Sequence, residues 1–290
     1  MIARLAAIAL CSLLAACAAT GPGSIVTTAA DGTEQRIPAG LLKPEGTGPF
    51  PAVVMLHDCS GLGLNSSGAP GRWANELVAH GYVVLLPDSF GTRGFPNGVC
   101  TDASRGPQVA PVQRARDAHA ALAHLRALAY VDGGRVGVMG GSHGGSTTLL
   151  ALLPPGGGAS GRPGFAAAVA LYPGCTTAAG NLIGDSRGGY RSQAPLLILV
   201  GELDDWTPAE PCRRLADAAQ TAGSPVTIKV YPGAYHSFDS SNPPRYVAAR
   251  INVNSPTGHG ATTGGNVEAW ADSIREVLAF FGRHLARTDR

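Results

Sequence analysis

Arg135-Val136-Gly137-Val138-Met139-Gly140-Gly141-Ser142-His143-Gly144-Gly145 is the stretch that decides the fold. A largely apolar, strand-like run enters a glycine-rich turn that carries one serine, and a helix-compatible segment follows. The Gly-x-Ser-x-Gly spacing has a steric origin, because so tight a turn strains the serine backbone and leaves no room for side chains at the flanking positions. The strain presents Ser142 Oγ at a helix N-terminus, where a developing anion is favoured. In a chain with 40 glycines the same pattern also arises in an ordinary strand-to-helix turn, so its neighbours decide.

Two later segments supply what a nucleophilic serine needs. The β-rich run Pro195 to Val200 leads into Gly201-Glu202-Leu203-Asp204-Asp205-Trp206-Thr207-Pro208, an acidic turn at a strand end. Asp204 is the candidate orienting acid, with Asp205 beside it as the alternative. The alternating run Val226 to Tyr231 leads into Pro232-Gly233-Ala234-Tyr235-His236-Ser237-Phe238, which places a candidate base, His236, on the next loop. The chain order Ser, Asp, His is that of the α/β-hydrolases and not of the chymotrypsin or subtilisin arrangements.

From about Phe50 to the C-terminus the chain resembles the dienelactone hydrolase family of α/β-hydrolases. The resemblance is carried by Met55-Leu56-His57-Asp58-Cys59-Ser60-Gly61-Leu62, by Leu86-Pro87-Asp88-Ser89-Phe90-Gly91-Thr92-Arg93-Gly94, by the serine turn, by the Gly-x-x-Asp-x-x-x-Pro turn at Gly201 to Pro208 and by Pro232 to Phe238. The founding members carry a cysteine at the elbow, where this chain has Ser142. The resemblance implies an α/β-hydrolase fold, a doubly wound and mostly parallel sheet with helices on both faces and no large cap. It also implies an oxyanion hole made by the backbone N–H groups of Cys59 and His143. An arginine near Arg93 binds a substrate carboxylate in that family, so Arg93 is a candidate substrate contact, the plainer reading being a solvated arginine. No cofactor and no metal are expected: His57, Asp58 and Cys59 are adjacent and cannot converge on one tetrahedral ion. His57 and His143 read as pocket-wall or structural histidines.

The N-terminus has a different character. Met1-Ile2-Ala3-Arg4, the apolar run Leu5 to Leu14 and Leu14-Ala15-Ala16-Cys17 read as a lipoprotein signal peptide over residues 1–16, too short for a permanent membrane span. By resemblance to bacterial lipoproteins Cys17 is acylated, and Ala18 after it matches an outer-membrane sorting signal. An ordinary cleaved signal is the alternative. Residues 17–30 then form the acylated end and a tether, and residues 31–290 the hydrolase domain. The expected location is exported and lipid-anchored, at the outer membrane facing the periplasm or at the cell surface.

Loss of the signal removes one charged side chain, Arg4, from a chain of formal net charge +2. With no basic tract, nothing points to nucleic acid. Of six cysteines, Cys11 leaves with the signal and Cys17 takes the lipid. The other four, Cys59, Cys100, Cys175 and Cys212, allow three pairings. In this fold Cys59 and Cys100 follow the neighbouring third and fourth strands, and Cys175 and Cys212 follow the sixth and seventh, so Cys59–Cys100 and Cys175–Cys212 are the expected bridges.

Elsewhere, Thr33 to Leu42 reads as an edge hairpin, Pro51 to Leu56, Tyr82 to Leu86 and Phe165 to Leu171 as strands buried on both faces, and Arg72 to His80, Val112 to Leu128 and Val267 to His284 as helices. Such alternation makes a doubly wound sheet whose ligands bind at the carboxyl ends of the strands. The stretches Pro154 to Gly164 and Ser240 to Gly265 lack periodicity, and the second is placed to drape over the site. The leading function is cleavage of small soluble carboxylic esters, lactones included, through an acyl-enzyme on Ser142. The alternatives are a catalytically silent, lipid-anchored binding protein on a hydrolase scaffold and a peptidase.

Overall fold

A computed structural model describes residues 19–153, 164–176, 181–185 and 189–287. The expected signal peptide, Cys11, Cys17 and most of the Pro154 to Gly164 stretch lie outside the described residues.

Among the described residues, ten strands and five α-helices follow in the order β1 (Ala19–Thr28), β2 (Glu34–Leu42), β3 (Phe50–Leu56), α1 (Ala69–Ala79), β4 (Val83–Pro87), α2 (Pro111–Arg126), β5 (Val131–Gly141), α3 (His143–Ala151), β6 (Ala167–Leu171), β7 (Leu196–Gly201), α4 (Ala209–Thr221), β8 (Val226–Tyr231), β9 (Arg245–Ile251), β10 (His259–Thr263) and α5 (Val267–His284). Eight of the strands form one sheet in the order β1-β2-β4-β3-β5-β6-β7-β8. The pairs β1–β2 and β2–β4 are antiparallel and the rest parallel. From β3 the winding goes outward to β4, then crosses back to β5 and proceeds the other way. The switch point therefore falls between β3 and β5, where an open α/β sheet leaves a crevice at the strand ends.

Strand side chains alternate between two apolar layers. Ala52, Val54 and Leu56 of β3 pack with Ala118 and Leu122 of α2, Leu149 of α3 and Leu215 of α4. Val53 and Met55 face the other way, onto Trp73 and Leu77 of α1 and Val277 and Phe281 of α5. Burial of one such large side chain contributes about 1.5–3 kcal/mol, so each central strand is stabilised from both faces. α5 begins where the Asn266 side chain accepts from the Ala269 N–H at 2.9 Å, satisfying one free donor of its first turn.

Two stretches differ from expectation. Most of the segment expected to be a tether, residues 17–30, lies in β1, where buried Ile25 and Thr27 alternate with exposed Val26 and Thr28. The β-branched run Ile25 to Thr28 pairs residue for residue with β2, Ile25 opposite Ile37, and outweighs the glycines before it. The stretch Ser240 to Gly265 is not irregular throughout, since it contains the antiparallel pair β9–β10. This hairpin is held by hydrogen bonds from Ile251 N to Cys100 O at 3.1 Å and from Trp206 Nε1 to Ile251 O at 2.8 Å. The two expected disulfides are present, with Cα–Cα distances of 4.9 Å for Cys59–Cys100 and 5.2 Å for Cys175–Cys212.

Candidate active site

Ser142 sits between β5 and α3 with φ 53° and ψ −115°, a left-handed conformation that costs a non-glycine residue about 1–3 kcal/mol. The neighbouring glycines are forced by contact. A Cβ on Gly140 would lie 2.5 Å from the Gly144 carbonyl carbon, and one on Gly144 only 2.2 Å from Leu56 O. Such an approach is closed to any side chain, so the turn can be made only by this sequence pattern. A hydrogen bond from Ser142 N to Leu171 O at 2.9 Å fixes the turn against β6.

Ser142 Oγ lies 2.9 Å from His236 Nε2, and His236 Nδ1 lies 2.8 Å from Asp204 Oδ2. A carboxylate only accepts, so the imidazole proton is on Nδ1 and donates to Asp204. Nε2 then carries the lone pair that accepts from the serine hydroxyl. Asp204 is oriented from behind, its Oδ1 accepting from the backbone N–H groups of Trp206 at 2.9 Å and Thr207 at 2.8 Å, and its Oδ2 lying 3.0 Å from Thr207 Oγ1. Tyr172 and Trp206 pack on the imidazole, with ring centroids 4.7 and 4.8 Å away. Ser142 retains 7% exposure, whereas the His236 and Asp204 side chains have none.

The adjacent acid has another task. Asp205 accepts from Thr262 N at 2.8 Å and from Thr262 Oγ1 at 2.9 Å, and its backbone carbonyl accepts from Asn252 Nδ2 at 2.9 Å. It therefore pins the β9–β10 hairpin, and the carboxylate that reaches the histidine is that of Asp204.

Neither neighbouring histidine is placed to act as a base. His57 donates from Nδ1 to Asp58 O at 2.8 Å and accepts at Nε2 from Ser89 N at 3.2 Å. Burial, reinforced by the Arg114 charge, pushes its pKa well below the usual histidine value. His143 accepts at Nδ1 from Arg114 at 2.7 Å, and desolvation with the same guanidinium lowers its pKa as well. Its backbone N–H, first in α3, has no intrahelical acceptor. The Cys59 N–H, in the turn after β3, likewise has no acceptor among the described residues.

Arg93 is not a substrate contact. Its guanidinium meets Asp117 through two bonds, 2.5 and 2.8 Å long, and also donates to Gln35 Oε1 at 2.9 Å and Ser89 O at 3.0 Å. The two charged side chains are 2% and 0% exposed. A short turn at Gly91–Arg93 directs the arginine inward, and a buried carboxylate on α2 captures it.

Sequence reasoning also missed several residues. Asp239 is buried and accepts from Trp73 Nε1 at 2.8 Å and Tyr172 OH at 2.8 Å, and so fixes the ring that backs His236. Burial raises the Asp239 carboxyl above its ordinary value. The signal available was two charged residues, Arg114 and Asp117, on the apolar face of α2. A cavity of about 420 Å³ runs between Ser60, next to Cys59, and Ser237, next to His236, and is also lined by Arg72, Arg245 and Arg250. None of these three arginines has a carboxylate within ion-pair distance among the described residues. Arg250 lies 5.0 Å over the Trp206 ring, and its Nε is buried without a partner. Among the described residues no group of three or more His, Cys, Asp or Glu side chains is disposed to hold a metal ion.

Comparison with known proteins gives a consistent picture. A 225-residue segment is 27% identical to a Methylorubrum extorquens protein named "Putative carboxymethylenebutenolidase", covering 73% of this chain and 71% of the relative. A dienelactone hydrolase-like promiscuous phosphotriesterase from metagenomic libraries superposes with a TM-score of 0.65 at 22% identity, over 92% of this chain and 99% of that one. Thermogutta terrifontis esterase 2 phosphorylated by paraoxon superposes with a TM-score of 0.61 at 20% identity, over 92% and 96% of the two chains. The profile of the dienelactone hydrolase family matches residues 37–285, a span that takes in the serine elbow, the acidic turn and the histidine loop, and the chain belongs to that family.

Proposed function

We propose that this chain hydrolyses carboxylic esters of small soluble substrates, lactones included, through an acyl-enzyme on Ser142. The observation that carries the reading is the continuous hydrogen-bonded line from Ser142 Oγ through His236 to Asp204, with links of 2.9 and 2.8 Å. Ser142 Oγ attacks the carbonyl carbon as His236 Nε2 takes its proton, and Asp204 stabilises the resulting imidazolium. The oxyanion of the tetrahedral intermediate accepts from the N–H groups of Cys59 and His143. Collapse returns the proton to the leaving alkoxide, and water repeats the sequence on the acyl-enzyme. In a lactone the leaving alcohol remains attached to the acyl group, and the same steps apply.

The arginine-lined cavity offers an anionic group on the ester three cations that have no carboxylate within ion-pair distance among the described residues. We also propose export and acylation at Cys17. The two disulfides support an oxidising compartment, since such bridges are rare in reducing ones.

A fluorophosphonate probe tests the reading. Mass spectrometry is expected to find the adduct on the Ser142 peptide, with Ser142→Ala unlabelled and inactive on p-nitrophenyl acetate. A wild-type protein that takes no label and turns over no short ester would leave the silent binding scaffold in its place. Metabolic labelling with a fatty acid, lost in Cys17→Ser, tests the anchor separately.

A further inference from the structure

Arg114 is a buried cation that the mechanism above does not use. It lies on the inner face of α2 with no exposure to solvent. No carboxylate is within ion-pair distance of it among the described residues. A guanidinium in that position is costly to desolvate, and for packing alone a neutral side chain of similar volume would serve better. Its contacts show where it acts. One terminal nitrogen donates to His143 Nδ1 at 2.7 Å and the other to the His57 carbonyl oxygen at 2.7 Å, while the face of the group lies 4.8 Å from the centroid of Phe90.

Both bonds end at the two halves of one small structure. His143 carries one of the proposed oxyanion donors on its own backbone. The His57 carbonyl precedes by one residue the peptide that bears the other donor, the Cys59 N–H. These halves come from different strand ends, β5 and β3. They nevertheless approach closely, a Cβ on Gly144 falling 2.7 Å from His57 O. Arg114 reaches both at once because its donors form a rigid planar fork, which a lysine cannot reproduce.

The charge has a second effect. Asp117, Asp58 and Asp88 act on the Arg114 charge without pairing with it, and a buried cation bonded to both halves favours an anion at their N–H donors more strongly when the carbonyl oxygen bears a full charge than in the neutral ester. His143 cannot supply that charge, because its ring accepts from Arg114 and stays neutral.

We propose that Arg114 is a positioning residue for the oxyanion hole, tying the Cys59 turn to the first residue of α3 and biasing the hole toward the tetrahedral anion. The inference rests on the hydrolase reading of Ser142, Cys59 and His143. It predicts a loss confined to the transition state.

The experiment compares wild type with Arg114→Met, which removes the fork and the charge at similar volume. Turnover is measured on p-nitrophenyl acetate, and affinity for an alkyl trifluoromethyl ketone is measured alongside. In that adduct Ser142 Oγ bonds to the ketone carbon, its proton passes to His236, and the former carbonyl oxygen becomes the oxyanion. Arg114→Met is expected to lower kcat about 10²-fold, as for loss of one oxyanion donor, with KM changed by no more than about twofold. Ketone affinity is expected to fall by the same factor as kcat/KM. Unchanged kcat in a folded Arg114→Met protein, or an equal weakening of a non-reactive substrate analogue, would overturn the inference. Where Arg114→Met fails to fold, by near-ultraviolet circular dichroism, the wild-type protein decides. Nitrogen-15 resonances of the Arg114 guanidinium and the His143 imidazole are expected to move when the ketone adduct forms, and the inference fails if they do not. Absence of fluorophosphonate labelling in wild type strikes the hydrolase reading itself, whereas labelled wild type with an undiminished Arg114→Met strikes this inference alone.

Discussion

Mild acid should destabilise this protein through His57 before its carboxylates are titrated. The ring is 1% exposed, donates from one nitrogen, accepts at the other and has Arg114 nearby, so the fold holds its pKa well below the ordinary 6.5. With the folded value depressed, the neutral form belongs to the native state, and protonation is left to the unfolded chain. The contribution is therefore complete above the unfolded pKa and is lost as pH falls below it. Between pH 7 and pH 5.5 the unfolded histidine gains on the order of 1 kcal/mol of protonation free energy that a native ring held neutral does not, a sizeable share of a typical folding stability. Urea unfolding at the two pH values, with disulfides intact, measures it. Wild type should lose more than His57 alone accounts for, since His143 is shifted in the same direction and adds a further loss. His57→Gln, which keeps a donor and an acceptor without titrating, should lose on the order of 1 kcal/mol less over the same interval. Equal pH dependence in wild type and His57→Gln would refute the argument.

Other consequences follow from the same geometry. Asp204→Asn should lower kcat on p-nitrophenyl acetate by about 10⁴, because the amide can no longer hold the Nδ1–H tautomer. Asp205→Asn should leave kcat near wild type and lower the melting temperature by loosening the β9–β10 hairpin. Arg93→Ala should cost about 3–5 kcal/mol in urea unfolding, as it strands a buried carboxylate, while the preference between carboxylated and neutral esters stays unchanged. Combining Arg93→Met with Asp117→Leu should recover much of that loss. Arg250→Ala should raise KM for a carboxylated ester and leave a neutral ester of the same size unaffected, and equal effects on both would remove the arginine cavity from substrate recognition.

What could be read in the sequence was whatever depended on local pattern. The two-sided apolar runs of β3, β4 and β6 required a sheet covered on both faces, and the glycines at 140 and 144 required a turn too tight for side chains. Ser142, Asp204 and His236 were legible because each follows a strand end. The choice between Asp204 and Asp205 was not, since adjacent residues differ only in which way the turn presents them. Two backbone N–H groups select the first, and Thr262 takes up the second. Arg93 misled for a related reason: its partner Asp117 lies 24 residues away on a helix, and a buried ion pair leaves no periodic trace. The hairpin over Ser240 to Gly265 was hidden because its strands pair with each other and with loop groups such as Trp206, so they show little of the apolar alternation that marks a sheet strand.

Backbone strain and covalent bracing occur in the same part of the molecule. Among the described residues, three that are not glycine have positive φ: Ser142 at 53°, Tyr172 at 34° and Ser237 at 58°. They are the elbow serine itself, the residue whose ring packs on His236, and the residue that follows His236. Each such conformation costs about 1–3 kcal/mol and persists only where the surrounding structure holds it in place. Both disulfides close loops at that same end. Cys175–Cys212 ties the loop after β6 to the first turn of α4, and so braces the Asp204 turn between β7 and α4 against the strand that holds Ser142 N. Cys59–Cys100 ties the proposed oxyanion turn to a loop whose Cys100 carbonyl receives Ile251 N of the hairpin. Each bridge contributes about 2–4 kcal/mol by restricting the unfolded chain, comparable with the strain beside it. An elbow serine held in so strained a conformation needs support from outside its own loop, and the bridges lie where the two-sided apolar core ends.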